Sequence, residues 1–133
     1  MKKLLSDAGI EEDFTIVSRA TSDEEIICGV GNPIYPPARE KMREKGIPYG
    51  TREATQLRTE DGNNYDLFIG MDSSNIRNMH RILGVNCSEK IKKLMDYTGR
   101  GGDVADPWYT GDFEQAFNDI YEGCTALLKE LRA

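Results

Sequence analysis

The chain has 133 residues, of which 38% are hydrophobic and 30% charged, and this composition is typical of one soluble folded domain. Its formal net charge of -6 argues against nucleic-acid binding, because neutralising phosphates requires a surplus of lysine and arginine. No apolar run approaches the ~20 residues that cross a bilayer, and the basic start lacks the apolar segment of a signal peptide. We therefore expect neither a nucleic-acid partner nor a membrane partner.

Three cysteines, Cys28, Cys87 and Cys124, stand far apart and form no CxxC pair. An odd number of widely spaced cysteines is typical of reduced thiols in a cytoplasmic protein. We interpret them as buried or inert thiols. No cluster of metal-ligating residues is visible, so we expect no metal and no other cofactor.

The first half of the chain alternates short elements with long connections. A helix is predicted over Met1–Ala8, and Gly9 ends it. Phe14–Ser18 is rich in β-forming residues and predicts a strand. The polar stretch 18–37 is a long connection of a kind that is usually functional or disordered. Pro37 suits the first turn of a helix that continues over Ala38–Lys45.

In the second half, strand and helix patterns alternate more regularly. Thr59 is a candidate cap for a short helix, and Tyr65–Met71 is a continuous apolar run of the kind found in buried parallel strands. The polar residues 72–75 precede a helix that Gly84 ends, and Lys90–Asp96 predicts the next strand. Asp112 caps a helix from Phe113 to about Arg132. Its predicted apolar face contains Phe113, Phe117, Ile120, Tyr121, Cys124, Leu127, Leu128 and Leu131.

Strand–helix alternation through residues 1–133 predicts a single α/β domain, a three-layer sandwich in which helices cover both faces of a parallel sheet. In such folds, loops at one edge of the sheet carry the site. The segment Asp106-Pro107-Trp108-Tyr109 lies just before the last helix and places one carboxylate beside two aromatic residues. By itself it fits either a general-acid loop or a turn whose aromatic residues cover the sheet edge.

Several blocks together resemble the low-molecular-weight protein-tyrosine phosphatases, in the order of that family. They are 17–22 (VSRATS), 31–38 (GNPIYPPA), 54–57 (ATQL), 65–75 (YDLFIGMDSSN) and 103–114 (DVADPWYTGDFE). The resemblance implies the α/β sandwich of the family and hydrolysis of phosphotyrosine proteins or small aryl phosphates. In that family a cysteine nucleophile attacks phosphorus, and an aspartic acid protonates the leaving phenolate.

The resemblance also implies roles for particular residues. Asp106 matches the general acid. Trp108, Tyr109 and Glu24 match positions that line the substrate cleft. Ser18, Asp72 and Arg52 match positions that support the phosphate-binding loop, although Asp72 is equally suited to a plain helix N-cap. His80 lies far in sequence from these positions, and we read it as structural.

One part of the family pattern has no counterpart in these 133 residues. The family begins with a strand and a C-x5-R-S phosphate loop, whereas the residues six positions after Cys28, Cys87 and Cys124 are Ile34, Lys93 and Glu130. We therefore expect a domain whose first strand is missing, which is inactive on its own because N–H donors and the arginine carry most of the transition-state stabilisation. We also expect a homodimer or strand exchange to fill the gap in the sheet.

Two other functions stay open from the sequence. One is a non-catalytic module that binds phosphopeptides or a protein through the acid-loop surface. The other is a cysteine-based reductase of similar fold, for which Cys28 and Cys124 would have to meet.

Overall fold

The computed structural model describes residues 1–22, 26–27, 30–31, 34–49 and 54–132. In that part of the chain the helices are α1 (Lys2–Asp7), α2 (Pro36–Glu44), α3 (Ser73–Leu83), α4 (Pro107–Thr110) and α5 (Phe113–Leu131). The strands are β1 (Ile26–Ile27), β2 (Val30–Gly31), β3 (Phe68–Gly70) and β4 (Ile91–Lys93). Short 3₁₀ helices lie at Glu11–Asp13, Thr59–Asn63, Val85–Lys90 and Leu94–Thr98. Within these ranges, no helix has the length and apolar character needed to cross a membrane.

The centre of the domain is the parallel pair β3 and β4, which α3 connects. Phe68 pairs with Ile91 and Gly70 with Lys93. A parallel pair needs a crossover connection, and the helix supplies it. The short β1 and β2 form a separate antiparallel pair. Ala20 and Gln56 form an isolated parallel bridge.

Side chains of β3 alternate between two cores, one on each side of the sheet. Phe68 joins a cluster with Leu57, Met79, Leu83, Cys87 and Ile91 on the α3 side. Ile69 packs against a cluster of Leu94, Cys124 and Leu127, to which Met1 and Leu4 of α1 also contribute. Successive strand residues point to opposite faces. The fold is therefore an α/β sandwich with helices on both faces, which confirms the predicted fold class.

The predicted strand at Phe14–Ser18 is wrong as a sheet element. Phe14 is extended, but no residue of 14–18 belongs to a ladder with another described residue. The backbone pairs with a neighbouring segment further on, at Ala20, whose N–H donates to Thr55 O and whose carbonyl accepts the N–H of Leu57. β-propensity by itself does not make a strand, since its backbone groups need a partner.

Three further expectations need correction. The strand predicted over Lys90–Asp96 ends at Lys93, because Leu94 and Met95, each 1% exposed, turn inward in a 3₁₀ helix beneath α5. In the 3₁₀ helix Thr59–Asn63, the N-cap residue is Arg58 and not Thr59. The apolar face of α5 is rotated, with Ile120, Tyr121 and Leu131 exposed. The buried residues are Ala116, Asp119, Gly123, Cys124 and Leu127.

Candidate functional site

Immediately after β3, the chain makes a tightly bonded turn. The Asp72 carboxylate accepts the N–H of Asn75 at 2.8 Å and caps α3. The Asn75 side-chain carbonyl in return accepts the N–H groups of Met71 (2.9 Å) and Asp72 (3.3 Å). This reciprocal arrangement satisfies backbone donors that a helix start leaves open. Asp72 is thus a helix cap, and the cap holds the turn rigidly at the carboxyl end of β3.

A second segment reaches this turn from the first half of the chain. The Asn75 side-chain amide donates to Thr21 Oγ1 at 3.3 Å. At the other end of β3, Arg19 donates to Tyr65 Oη at 3.2 Å and lies 3.7 Å from the Asp61 carboxylate. The contact of Thr21 therefore brings the end of the segment 17–22 to the turn after β3, whereas Arg19 lies towards the start of that strand. Ser18 itself is exposed, and its carbonyl accepts from the Arg19 guanidinium.

The third segment is the acid loop, which we define as residues 103–111. Its first residue, Asp103, accepts hydrogen bonds from Ser73 Oγ and Lys93 Nζ, both at 3.0 Å. These bonds lower the pKa of Asp103, the bond from Lys93 most, and the carboxylate raises the pKa of Lys93. The next residue, Val104, is buried and donates its N–H to Met71 O at 2.9 Å. The loop therefore starts in fixed register with β3, α3 and β4.

Asp106 lies two residues beyond this attachment and begins the turn of α4. Its carbonyl accepts the N–H groups of Tyr109 (3.1 Å) and Thr110 (3.2 Å), and its side chain is exposed. Tyr109 is 77% exposed. The backbone of Trp108 lies in α4, and its side chain is outside the described part of the structure.

Both flanks of the acid loop are tied to α5. On the N-terminal flank, Arg100 donates to the buried Asp119 carboxylate (3.2 Å) and to Glu122 (2.6 Å). On the C-terminal flank, the Asp112 carboxylate caps α5 by accepting the N–H of Gln115 at 2.9 Å. The glycines between these ties have positive φ, which only glycine adopts readily: 68° at Gly101, 86° at Gly102 and 74° at Gly111.

Of the residues predicted from the sequence, the structure brings Asp72 and the loop of Asp106 to one edge of the sheet. Ser18 lies three residues before Thr21, the residue of its segment that contacts the Asp72 turn. Glu24 and Arg52 lie outside the described residues, as does Cys28. His80 is exposed on α3. Cys87 and Cys124 are buried free thiols, in the clusters on opposite faces of the sheet. Among the described residues no group of three His, Cys, Asp or Glu side chains is placed to hold a metal ion.

Sequence reasoning missed the residues that join these segments, namely Asn75, Ser73, Asp103 and Lys93. The run 72–75 was identified as a cap, but which of its side chains would bond across the site is a tertiary property. Lys93 carried no signal, since a lysine at the end of a strand is ordinarily a solvated residue.

The comparisons with known proteins agree over nearly the whole chain. The family model for low molecular weight phosphotyrosine protein phosphatase matches residues 1–133. The low molecular weight protein-tyrosine-phosphatase YfkJ of Bacillus subtilis is 34% identical over 105 residues, which are 77% of this chain and 67% of that protein. The human low molecular weight phosphotyrosine protein phosphatase is 32% identical over 134 residues, covering 97% of this chain and 82% of the relative.

The same relationship holds in three dimensions. The crystal structure of YfkJ superposes with a TM-score of 0.90 at 30% identity, covering 98% of this chain and 81% of that one. The match of sequence and fold along the full chain confirms the resemblance on which the site residues were assigned. The chain belongs to the low molecular weight phosphotyrosine protein phosphatase family.

Proposed function

We propose that this chain provides the acid-loop portion of a cytoplasmic phosphotyrosine phosphatase site, in which Asp106 is the general acid. The observation that carries the proposal is the tie between the acid loop and the turn after β3, made by Asp103 with Ser73 and Lys93. This tie fixes the start of the loop at the edge of the sheet where Asp72 lies. The substrates would be phosphotyrosine proteins, as the names of the relatives indicate, or small aryl phosphates.

The chemistry proceeds in two steps. A cysteine thiolate from a C-x5-R-S loop attacks phosphorus, while the Asp106 carboxyl donates its proton to the leaving phenolate oxygen. Water then attacks the phosphocysteine, and the Asp106 carboxylate removes the proton from that water. No cysteine of these 133 residues has an arginine six positions later. We therefore infer that the 133 residues alone hydrolyse aryl phosphates far more slowly than the family does.

The test compares the chain of 133 residues with the same chain carrying a family strand and C-x5-R-S segment joined to Met1, hereafter the joined chain. We expect release of p-nitrophenol from p-nitrophenyl phosphate near background for the former and clear turnover for the latter. Asp106→Asn in the joined chain should then lower kcat/KM by about 10²–10⁴-fold, the usual contribution of a general acid. Family-level turnover by the 133 residues alone would refute the proposed inactivity.

A matched control separates loss of the acid from a general effect of removing one charge. Asp66 is an exposed aspartate just before β3, at the end of that strand away from the acid loop. We expect Asp66→Asn to leave kcat/KM unchanged. Equal losses in Asp66→Asn and Asp106→Asn would remove Asp106 from its proposed role.

We also propose that a further segment, from a second copy or from strand exchange, completes the sheet of the 133-residue chain. Two observations support this. Residues 14–18 have no ladder partner among the described residues, although Phe14 is extended. The side-chain oxygen of Gln56 is buried without a hydrogen-bond partner in the described part of the chain. A buried unpaired acceptor is unfavourable, and a donor from an added segment would relieve it.

A further inference from the structure

Asp103 is the residue through which the acid loop meets the rest of the site. Its carboxylate receives Ser73 Oγ from the first residue of α3 and Lys93 Nζ from the last residue of β4. Lys93 Nζ also lies 3.5 Å from Ser73 Oγ, so the three groups form a closed triangle. Helix start, strand end and loop start are thus joined at one point.

The chain between this point and the acid is short. Val104 is 4% exposed, and its N–H bonds to Met71 O, so the backbone is fixed one residue after Asp103. Ala105 alone separates Val104 from Asp106, and α4 begins directly afterwards at Pro107. Because so few residues separate them, a displacement of Asp103 is expected to displace Asp106 as well.

We propose that Asp103 is a positioning residue for the general acid, and that its bonds to Lys93 and Ser73 hold Asp106 over the position of the leaving oxygen. Asp103 does not itself touch substrate in this proposal. It acts by keeping the acid loop in register with the turn after β3 that contains Asp72. The inference rests on that proposed function.

A plain surface ion pair is the competing explanation, since the Asp103 side chain is 43% exposed and the Lys93 side chain 20%. Such pairs change global stability little. The two explanations differ in where the effect of a substitution appears. A surface pair would leave the conformation of the acid loop unchanged, whereas a positioning residue changes that conformation without unfolding the domain.

The loop can be observed directly, because Trp108 is the single tryptophan of the chain. In protein labelled with 5-fluorotryptophan, the 133-residue chain gives one ¹⁹F resonance that reports on the acid loop. We expect Asp103→Asn and Lys93→Met to move this resonance in the same direction, with thermal midpoints within about 2 °C of wild type. Lys93→Arg keeps a donor for Asp103 and should restore the wild-type position.

Lys92→Met is the matched control. Lys92 is the neighbouring lysine of β4, is exposed, and faces the opposite side of the strand from Lys93. The ¹⁹F resonance of the Lys92→Met protein should coincide with that of wild type. Should Asp103→Asn lower the stability so far that the fold is lost, Ser73→Ala tests the same tie from the helix side. A resonance unmoved in Asp103→Asn, Lys93→Met and Ser73→Ala would overturn the proposal.

A second readout concerns the acid itself. In the joined chain, Asp103→Asn should lower kcat/KM about tenfold for phenyl phosphate, whose leaving group needs a proton. The loss should be much smaller for 2,4-dinitrophenyl phosphate, whose leaving group departs unprotonated. Equal losses for both substrates would overturn the positioning role while leaving the proposed function intact. If the joined chain is inactive, the proposed function fails, and the ¹⁹F resonance alone decides whether Asp103 positions the loop.

Discussion

At the scale of single residues, the tightest contact at a described glycine lies where α5 crosses Leu94. A Cβ added at Gly123 would lie 2.5 Å from Leu94 Cγ and 2.9 Å from Leu94 Cδ2. Leu94 is 1% exposed and packs with Cys124 and Leu127, so it has little room to move. The absence of a side chain at position 123 is what lets α5 lie directly on the segment that follows β4.

Gly123→Ala therefore sets two effects against each other. Alanine gains about 1 kcal/mol over glycine inside a helix, whereas overpacking a tight core costs about 1–3 kcal/mol. Because Leu94 is enclosed, we expect the cost of overpacking to exceed the gain, with a net loss of up to about 2 kcal/mol in the free energy of unfolding. Urea denaturation measures it. Thr125→Ala, at an exposed position of the same helix, should change stability by no more than about 0.5 kcal/mol. A stabilised Gly123→Ala protein would contradict this account.

At the scale of elements, α2 is attached to α5 by side chains at the surface of the domain. No described side chain of α2 is fully buried. Instead Lys41 and Lys45 each donate to the Glu114 carboxylate of α5 at 2.8 Å. The Tyr35 and Phe113 rings lie 6.0 Å apart, and Lys45 Nζ lies 5.0 Å from the centre of the Phe117 ring. Since α5 begins where the acid loop ends, these contacts also connect α2 to the candidate site.

The two lysines lower the pKa of Glu114 from its ordinary 4.5 to about 2. A carboxylate whose pKa is lower in the folded state adds stability above its unfolded pKa and loses it as the pH falls through the folded value. We therefore expect Glu114→Gln to be less stable than wild type at pH 7. The difference should be complete above pH 4.5 and should shrink as the pH falls towards 2.

Thermal midpoints of both proteins between pH 7 and pH 3 measure this dependence. Added salt should also reduce the difference, because Glu114 is half exposed and solvent ions screen it. Glu40→Gln is the control: Glu40 bonds to Arg43 within α2 and does not reach α5 in the described contacts. We expect Glu40→Gln to lower the thermal midpoint at pH 7 less than Glu114→Gln does. A difference between wild type and Glu114→Gln that grows at low pH would contradict the assignment.

The sequence predicts an element well when the residues that specify it are neighbours in the chain. Asp72 and Asp112 were identified as caps because a cap is specified by neighbouring residues, and both cap as predicted. The β3–α3–β4 unit was also foreseen, since its apolar run and helical spacing lie within one stretch. The rotation of the α5 face was not, because it depends on Gly123 meeting Leu94, a contact between residues far apart in sequence.

The candidate site shows the same division. The resemblance located Asp106 and Asp72 from contiguous motifs, and the structure places their segments at one edge of the sheet. The tie between Asp103, Ser73 and Lys93 had no local signature, because it joins three elements that only the fold brings together. The strand expected at Phe14–Ser18 failed for a related reason, since a ladder requires a second segment.

At the scale of the whole molecule, the described residues form one parallel pair, a separate short antiparallel pair and an isolated bridge. An extended segment without a ladder is a site at which another chain can pair. This observation supports the self-association proposed above, which would be a property of the assembly and not of any one residue.

Light scattering coupled to size-exclusion chromatography tests this. We expect the chain of 15.0 kDa to elute with a mass of a dimer or larger, increasingly so at higher concentration. The joined chain, whose added strand occupies the same position in the sheet, should be monomeric. A compact monomer of the 133 residues, with the sharp unfolding of a complete domain, would show that the sheet needs no second copy.

The packing of α1 has a consequence for the order of folding. Met1 and Leu4 lie against a cluster built from Leu94, Cys124 and Leu127, so α1 and α5 cover one another. The β3–α3–β4 unit, by contrast, closes over about two dozen residues, and such local contacts form early. During synthesis α1 leaves the ribosome long before α5 exists, and the cluster that buries its apolar side chains is complete only when α5 has been added. The last turns of α5 thus complete the burial of α1, which is made more than a hundred residues earlier.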